Sequence, residues 1–289
     1  MLFCTSNTKH LAPFLPFTQG SYFHKYFSDG EQYVKLEQSV DGQTVWVIAA
    51  TNAPADHLVE LFLLLNVLER GGATINLLIT YFGYARQDRP LENEASSAQM
   101  IGGMLKLFAI KKIMVIHAHS ALLHNYLNFV NVIPSDLICQ SANLYDAIAA
   151  PDQGAHELVK ALGTTCKIEA LLLSKIRHEQ ELVQILEYDG IVKARKVLII
   201  DDIIATGNTI IEVAKTLEKL GADHISVWAT HGIFSNHAQQ AIQASTIKKV
   251  YVTNSLPQKI ESDKIEIINI APCIEQILMF KDEPKRIKK

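Results

Sequence analysis

The sequence predicts an α/β protein of two units, each a mostly parallel sheet flanked by helices. Three observations predict it. A chain of 289 residues is long for one compact domain and comfortable for two. Hydrophobic residues make up 48%, ample material for packed cores. Short β-rich runs alternate with longer helical patterns, a βαβα rhythm that implies parallel strands with helices on both faces.

The elements follow in order. Residues 45–50 (Val-Trp-Val-Ile-Ala-Ala), bounded by Gly42 and the Asn52-Ala53-Pro54 turn, read as a buried strand. Residues 56–70 carry Leu58, Leu61, Phe62, Leu65 and Leu68 at helical spacing, stopped by Gly71-Gly72. Strands are expected at 74–81 and 112–116, with a helix at 95–108 between them. After Pro134 the rhythm resumes, with strands at 147–150, 168–174, 196–200, 224–229 and 249–253. Helices are expected there at 156–162, 209–220 and 236–244. The boundary falls at Pro134-Ser135, giving domains of residues 1–134 and 135–289.

Charge and cysteine usage exclude several classes. Lys plus Arg number 27 against 30 Asp plus Glu, for a net charge of −3. This balance argues against nucleic acid or another polyanion as the main partner. The basic end, residues 281–289, reads as a solvated tail. Cys4, Cys139, Cys166 and Cys273 lie far apart without a CxxC pair, so neither a zinc ribbon nor a disulfide framework is expected. The apolar stretch from Leu11 to Phe17 is short and broken by Pro13 and Pro16, and Leu61 to Leu65 is far too short to span a bilayer. The expectation is a soluble, cytoplasmic protein with no membrane partner.

The most informative segment is residues 197–209, Val-Leu-Ile-Ile-Asp-Asp-Ile-Ile-Ala-Thr-Gly-Asn-Thr. Its apolar run reads as a buried parallel strand. Asp201 and Asp202 stand at the carboxyl end, where open α/β sheets bind ligands. Ala205, Thr206, Gly207, Asn208 and Thr209 then open a helix. The free N–H groups, the two hydroxyls and the helix dipole make a phosphate cradle there. Gly207 allows the backbone close to the anion. A phosphate held beside two carboxylates suits a phosphosugar whose vicinal hydroxyls bond the acids, and the acids could also help hold Mg²⁺.

This segment resembles the phosphoribosyl pyrophosphate (PRPP) signature shared by type I phosphoribosyltransferases and ribose-phosphate pyrophosphokinases. The N-terminal half separates the two, because a transferase has no need of it. Residues 81–90, Tyr-Phe-Gly-Tyr-Ala-Arg-Gln-Asp-Arg-Pro, resemble the ATP-site segment of the pyrophosphokinases. Residues 27–31, Phe-Ser-Asp-Gly-Glu, resemble that family's adenine-contacting turn. The resemblance implies that Arg86 and Gln87 touch ATP. It also implies that Phe27, Asp29 and Glu31 reach the adenine of a neighbouring subunit's ATP. The residues themselves are consistent with an anion site, since Arg86 and Arg89 offer planar donor forks to a polyphosphate. Arginines of this kind also serve as surface ion-pair partners.

Residues 151–154, Pro-Asp-Gln-Gly, match the family's Pro-Asp-x-Gly loop, placing Asp152 near ribose and metal. Residues 174–177, Ser-Lys-Ile-Arg, match its Lys-x-Arg element on a mobile loop over the active site, which assigns Lys175 and Arg177 to charge stabilisation. In His117-Ala118-His119 the family usually has Asp-Leu-His, so His119 carries over to the ATP phosphates and metal while His117 replaces an acid. An HxH at a strand end is also half of a zinc-hydrolase site, but no matching cluster follows downstream. Further departures are Ala205 where many members have Asp, Leu91 after Pro90, and Thr80 in place of a common Pro. With the short length, these resemble the compact archaeal-type branch.

The resemblance spans about residues 27–257. It implies two type I phosphoribosyltransferase-like domains, an ATP-binding one and a ribose 5-phosphate-binding one. The implied reaction is Mg²⁺-dependent transfer of the β,γ-diphosphoryl group of ATP to the anomeric hydroxyl of ribose 5-phosphate, giving PRPP and AMP in a homo-oligomer of at least two copies. The alternatives are a phosphoribosyltransferase that consumes PRPP and a catalytically silent homologue that regulates a partner enzyme.

Overall fold

The computed structural model describes residues 1–177, 184–187 and 195–279, so the basic tail lies outside the described residues. The chain forms two compact units. The first comprises Met1–Ile133 with Ser255–Pro257 and the described residues from Ile274; the second comprises Pro134–Asn254 and Gln258–Cys273.

The first unit runs β1 (Leu2–Cys4), β2 (Tyr22–Tyr26), β3 (Gln32–Leu36), β4 (Thr44–Ala50), α1 (Asp56–Arg70), β5 (Thr74–Tyr81), α2 (Ser97–Leu105), β6 (Ile110–Ile116) and β7 (Val130–Val132). Five strands form a parallel sheet in the order β1-β4-β5-β6-β7, and β2 and β3 make a separate antiparallel hairpin. The core gathers Val45, Val47, Leu77, Ile79 and Val115 from the sheet against Leu58, Leu61, Leu65 and Leu68 of α1. Asp56 and Arg70 complement the α1 dipole at its two ends, and Gly72, at φ +80°, lets the chain turn out of the helix. The expected bounds of this helix coincide with the observed ones.

The second unit runs α3 (Ser135–Ala142), β8 (Ala147–Ala150), α4 (His156–Cys166), β9 (Glu169–Leu172), β10 (Ser174–Arg177), β11 (Gln184–Glu187), β12 (Lys196–Ile204), α5 (Asn208–Lys219), β13 (His224–Gly232), α6 (Ala238–Ala244), β14 (Lys249–Thr253), β15 (Ile265–Ile268) and α7 (Ala271–Met279), whose later turns belong to the first unit. Its parallel sheet has the order β15-β14-β13-β12-β8-β9, and β10 pairs with β11 as an antiparallel ribbon. The strand order reverses between β8 and β12: from β8 the chain steps outward to β9, and from β12 it steps the other way through β13, β14 and β15.

Several local expectations change. The strand expected at 168–174 stops at Leu172, and Ser174 begins the ribbon, so residues 174–177 are strand where the resemblance implies a loop. The strand beginning at Lys196 runs on through both acids to Ile204, because Asp201 and Ile203 still pair with Ala229 and His231 of β13. The cysteine reading is overturned: Cys139 on α3 and Cys166 at the end of α4 form a disulfide, with Cα atoms 5.1 Å apart. Both helices flank β8, and their packing brings together residues 27 apart in sequence. Cys4 and Cys273 are free, and burial pushes each thiol up to about 12, Asp136 adding to the shift at Cys273. No helix among the described residues is long and apolar enough to cross a membrane.

Candidate functional site

In the second unit the candidate site sits where the strand order reverses, the crevice at which open α/β sheets take their ligands. β8 delivers Pro151-Asp152 to one side, and the adjacent β12 delivers Asp201 and Asp202 to the other. Asp152 is exposed, and its side chain accepts the Ala155 N–H at 3.2 Å, which shapes the turn into α4. The Asp202 N–H donates to Asp201 Oδ1 at 2.8 Å. Burial first, then the Asp202 carboxyl, and Asp152 as a further contribution, hold the Asp201 carboxyl well above the usual carboxylate range. Three acids therefore share one small region. A cationic ligand, or hydroxyl donors, would relieve their repulsion.

After β12 the chain passes through Ala205 and Thr206 to Gly207, which caps α5 at φ +81° with no side-chain hydrogen bond. A Cβ there would meet only ordinary contacts from Ile242, so the left-handed φ is what calls for glycine. Thr206 and Asn208 are exposed and Thr209 half-buried. The first turn of α5 thus presents backbone N–H groups without a side-chain cap, together with two hydroxyls and a positive dipole end.

In the first unit, adjacent parallel strands deliver the segments that carry Arg86 and His119. β5 leads into residues 82–90, and β6 leads into His117-Ala118-His119. Gly83 is required by a close approach: its N–H donates to Thr51 Oγ1 at 2.8 Å, and a Cβ would collide with the Thr51 carbonyl. Arg86, Gln87 and Arg89 are exposed, and neither arginine makes an ion pair among the described residues. Gln87 is held from behind, its Oε1 accepting from Ser97 Oγ at 2.7 Å and its carbonyl from the Ala98 N–H at 3.2 Å. His117 is buried in the left-handed region at φ +43°, its N–H donating to the Val132 carbonyl at 2.9 Å, whereas His119 is exposed. Thr80 is buried in β5 and its hydroxyl donates to the Ala49 carbonyl at 3.4 Å; Leu91 is exposed.

Phe27, Asp29 and Glu31 occupy the tip of the β2–β3 hairpin, all exposed. The Phe27 N–H donates to the Glu31 carbonyl at 2.8 Å, and Asp29 Oδ1 accepts the Glu31 N–H at 3.1 Å. Gly30 supplies the positive φ. Lys25 Nζ lies 4.7 Å from the Phe27 ring centroid. Lys175 and Arg177 lie in β10, and their side chains are outside the described structure.

Sequence reading missed the residues that hold these segments in place. Thr51 and Ser97 brace the Arg86 segment. His156 Nε2 meets the Leu173 carbonyl at 2.8 Å, tying the start of α4 to the entrance of β10. Glu60, buried at 1% exposure, anchors the hairpin. Its signal was available: an acid standing among the apolar positions of an otherwise regular helix.

Comparison with known proteins bears on the fold and the family. Residues 5–108 match the N-terminal domain of ribose phosphate pyrophosphokinase, and residues 164–283 match the phosphoribosyl synthetase-associated domain. Ribose-phosphate pyrophosphokinase of Bacillus caldolyticus is 30% identical over 276 residues, covering 90% of this chain and 86% of the relative. The Helicobacter hepaticus protein of the same name is 28% identical over 261 residues, covering 87% and 84%. The fold is similar to a crystal structure of phosphoribosylpyrophosphate synthetase from Mycobacterium smegmatis, with a TM-score of 0.85 at 24% identity, covering 96% of this chain and 97% of that one. With a relative 30% identical across 90% of its length, and with its N-terminal and C-terminal parts both matching models of this family, the chain belongs to the ribose-phosphate pyrophosphokinase family.

Proposed function

We propose that the two units divide the family's reaction, ATP plus ribose 5-phosphate to PRPP and AMP, with ATP on the first and ribose 5-phosphate on the second. The observation that carries this is the strand reversal at β8 and β12, flanked by Asp152, Asp201, Asp202 and the uncapped α5 N-terminus. The 5-phosphate sits on the amides of residues 205–209, and Asp201 and Asp202 accept from the ribose hydroxyls. Arg86 and Gln87 hold ATP, and Phe27, Asp29 and Glu31 reach the adenine held by a neighbouring copy, so the active form is at least a dimer.

The anomeric hydroxyl oxygen attacks the β-phosphorus. The bond from that phosphorus to the oxygen bridging the α-phosphate breaks, AMP leaves with the bridging oxygen, and the proton of the anomeric hydroxyl is released to solvent. Positioning and charge neutralisation supply most of the rate in such transfers. Lys175, Arg177 and His119 are the residues assigned to neutralising the negative charge that gathers on the transferring group. Mg²⁺ would supply charge neutralisation on the phosphate oxygens. The chain's donors fit it in kind, since Asp152, Asp201 and Asp202 offer carboxylate oxygens, although among the described residues no three His, Cys, Asp or Glu form a cage on their own. A cation that keeps waters and substrate phosphates as most of its ligands needs no such cage. Asp152 and His119 are the residues assigned to it. The departures at Ala205, Leu91 and Thr80 support placement in the compact archaeal-type branch, and a cytoplasmic setting suits these substrates.

The test is AMP release from ATP and ribose 5-phosphate with Mg²⁺, in the wild type and in Asp201→Asn with Asp202→Asn. The expected result is wild-type turnover, with the double variant raising the KM for ribose 5-phosphate far more than that for ATP. No AMP release by the wild type would favour a silent regulatory homologue. Equal effects on both substrates would move the acid pair to the metal–nucleotide.

A further inference from the structure

The hairpin β2–β3 is only two strands, a unit of marginal stability by itself, and its tip residues are all exposed. Its direction is therefore set by what clamps its base. Strands β2 and β3 alternate, and the inward set Tyr22, His24, Val34 and Leu36 is half-buried while Phe23, Lys25, Tyr33 and Lys35 face outward. Facing the inward set, on α1, is a carboxylate in an otherwise apolar stripe, Glu60. Burial of a carboxylate is costly unless its oxygens are supplied with donors. Tyr22 supplies its hydroxyl to Oε1 at 2.7 Å, the Ser6 N–H donates to the same oxygen at 2.9 Å, and the Ser6 hydroxyl donates to Oε2. His24 Nδ1 stands 3.5 Å from Oε1, and its Nε2 meets Gln32 Oε1 at 3.0 Å. Gln32, on the other strand, donates through Nε2 to the Asp56 carbonyl at the start of α1 at 3.0 Å. Both strands of the hairpin are thus tied by polar bonds to one helix, and the loop after β1 is tied to the same carboxylate.

We propose that Glu60 is a positioning residue for ATP, fixing the hairpin on α1 so that Phe27, Asp29 and Glu31 stand where an adenine can be gripped. A buried acid contributes less to stability than an apolar residue of its size, while its bonds have direction, which a methyl group lacks. This inference rests on the reading of the tip as an adenine-contacting turn.

The experiment measures kcat and both KM values in Glu60→Gln, Tyr22→Phe, Phe27→Ala and the double variant Glu60→Gln with Phe27→Ala. Tyr22→Phe removes one donor without disturbing packing, and it decides the matter if Glu60→Gln does not fold. The expected result is a KM for ATP raised about tenfold in Glu60→Gln, several-fold in Tyr22→Phe, and no change in the KM for ribose 5-phosphate. The double variant should be no worse than Phe27→Ala alone, because both act through one turn. A purely structural role predicts a lowered Tm with unchanged KM values, or additive effects in the double variant, and either defeats the proposal. If Phe27→Ala raises the KM for ATP and Glu60→Gln and Tyr22→Phe do not, positioning fails alone. If Phe27→Ala leaves that KM unchanged, the adenine reading of the turn fails and positioning falls with it.

Discussion

The backbone N–H of Asp202 donates to Oδ1 of Asp201 at 2.8 Å, a bond that favours the charged carboxylate but is outweighed by its surroundings. Burial first, and then the neighbouring Asp202 carboxyl, raise the folded-state pKa of Asp201 above its unfolded value. An acid raised in this way binds its proton more tightly folded than unfolded. Its contribution to stability is therefore full below the unfolded carboxylate pKa of about 4 and is lost as pH rises through the folded value. Asp201→Asn removes the loss. In metal-free buffer the variant should match the wild type near pH 4 and exceed it in Tm as pH rises. Thermal melts from pH 4 to pH 8 check this, and a gap that does not widen with pH would place Asp201 in an unstrained, solvated setting.

Gly83 carries a different kind of constraint. Any Cβ there collides with the Thr51 carbonyl, and its N–H already bonds the Thr51 hydroxyl. Gly83→Ala must push the start of the Arg86 segment away from β4, at a cost of about 1–3 kcal/mol. Arg86 and Gln87 follow three and four residues later, so the KM for ATP should rise with that for ribose 5-phosphate unchanged. Unaltered ATP kinetics would mean that these two residues do not touch the nucleotide.

The Cys139–Cys166 disulfide closes a loop of 27 residues. The chain-entropy argument assigns such a loop up to roughly 3.5 kcal/mol of stability through the unfolded state. Urea unfolding of the oxidised protein with and without dithiothreitol should show that loss. The double variant Cys139→Ser with Cys166→Ser should match the reduced protein and ignore the reductant. An identical midpoint in all four conditions would mean that the thiols are reduced in the protein as prepared.

Which features were legible in the sequence follows from how local their causes are. The bounds of α1 could be read because apolar spacing and Gly71-Gly72 are both local signals. β12 and α5 could be read because a long apolar run, two acids and a glycine-opened helix stand in one stretch of chain. The end of β12 was placed four residues early, because acids resemble a strand terminus while their pairing to β13 is a tertiary fact. The β2–β3 hairpin was not read as strands. Its outward face is aromatic and basic, and its inward face is satisfied by α1 rather than by its own sequence. The disulfide needed the packing of α3 on α4, which spacing does not encode. The brace residues Thr51, Ser97 and Glu60 act across the fold, with partners 32, 10 and 54 residues away.

The shared-pocket reading has a consequence in mixtures of subunits. If the Phe27 turn of one copy serves the ATP of its neighbour, each active site draws its turn from one chain and Lys175 with Asp201 from another. At ATP far below the raised KM of Phe27→Ala, that variant and Lys175→Ala should each turn over little alone, for different missing parts. Mixed in equal amounts under conditions that allow subunit exchange, half the dimers are hybrids with two-fold related interfaces. In each hybrid one site combines the Phe27→Ala body with the intact turn of the Lys175→Ala chain, and the other site carries both defects. Activity should therefore return to about one quarter of wild type. It should appear at the rate of exchange and disappear on dilution below the dimer dissociation constant. A mixture that stays inactive through complete exchange, followed by mass spectrometry of the hybrids, would show that each chain completes its own pocket.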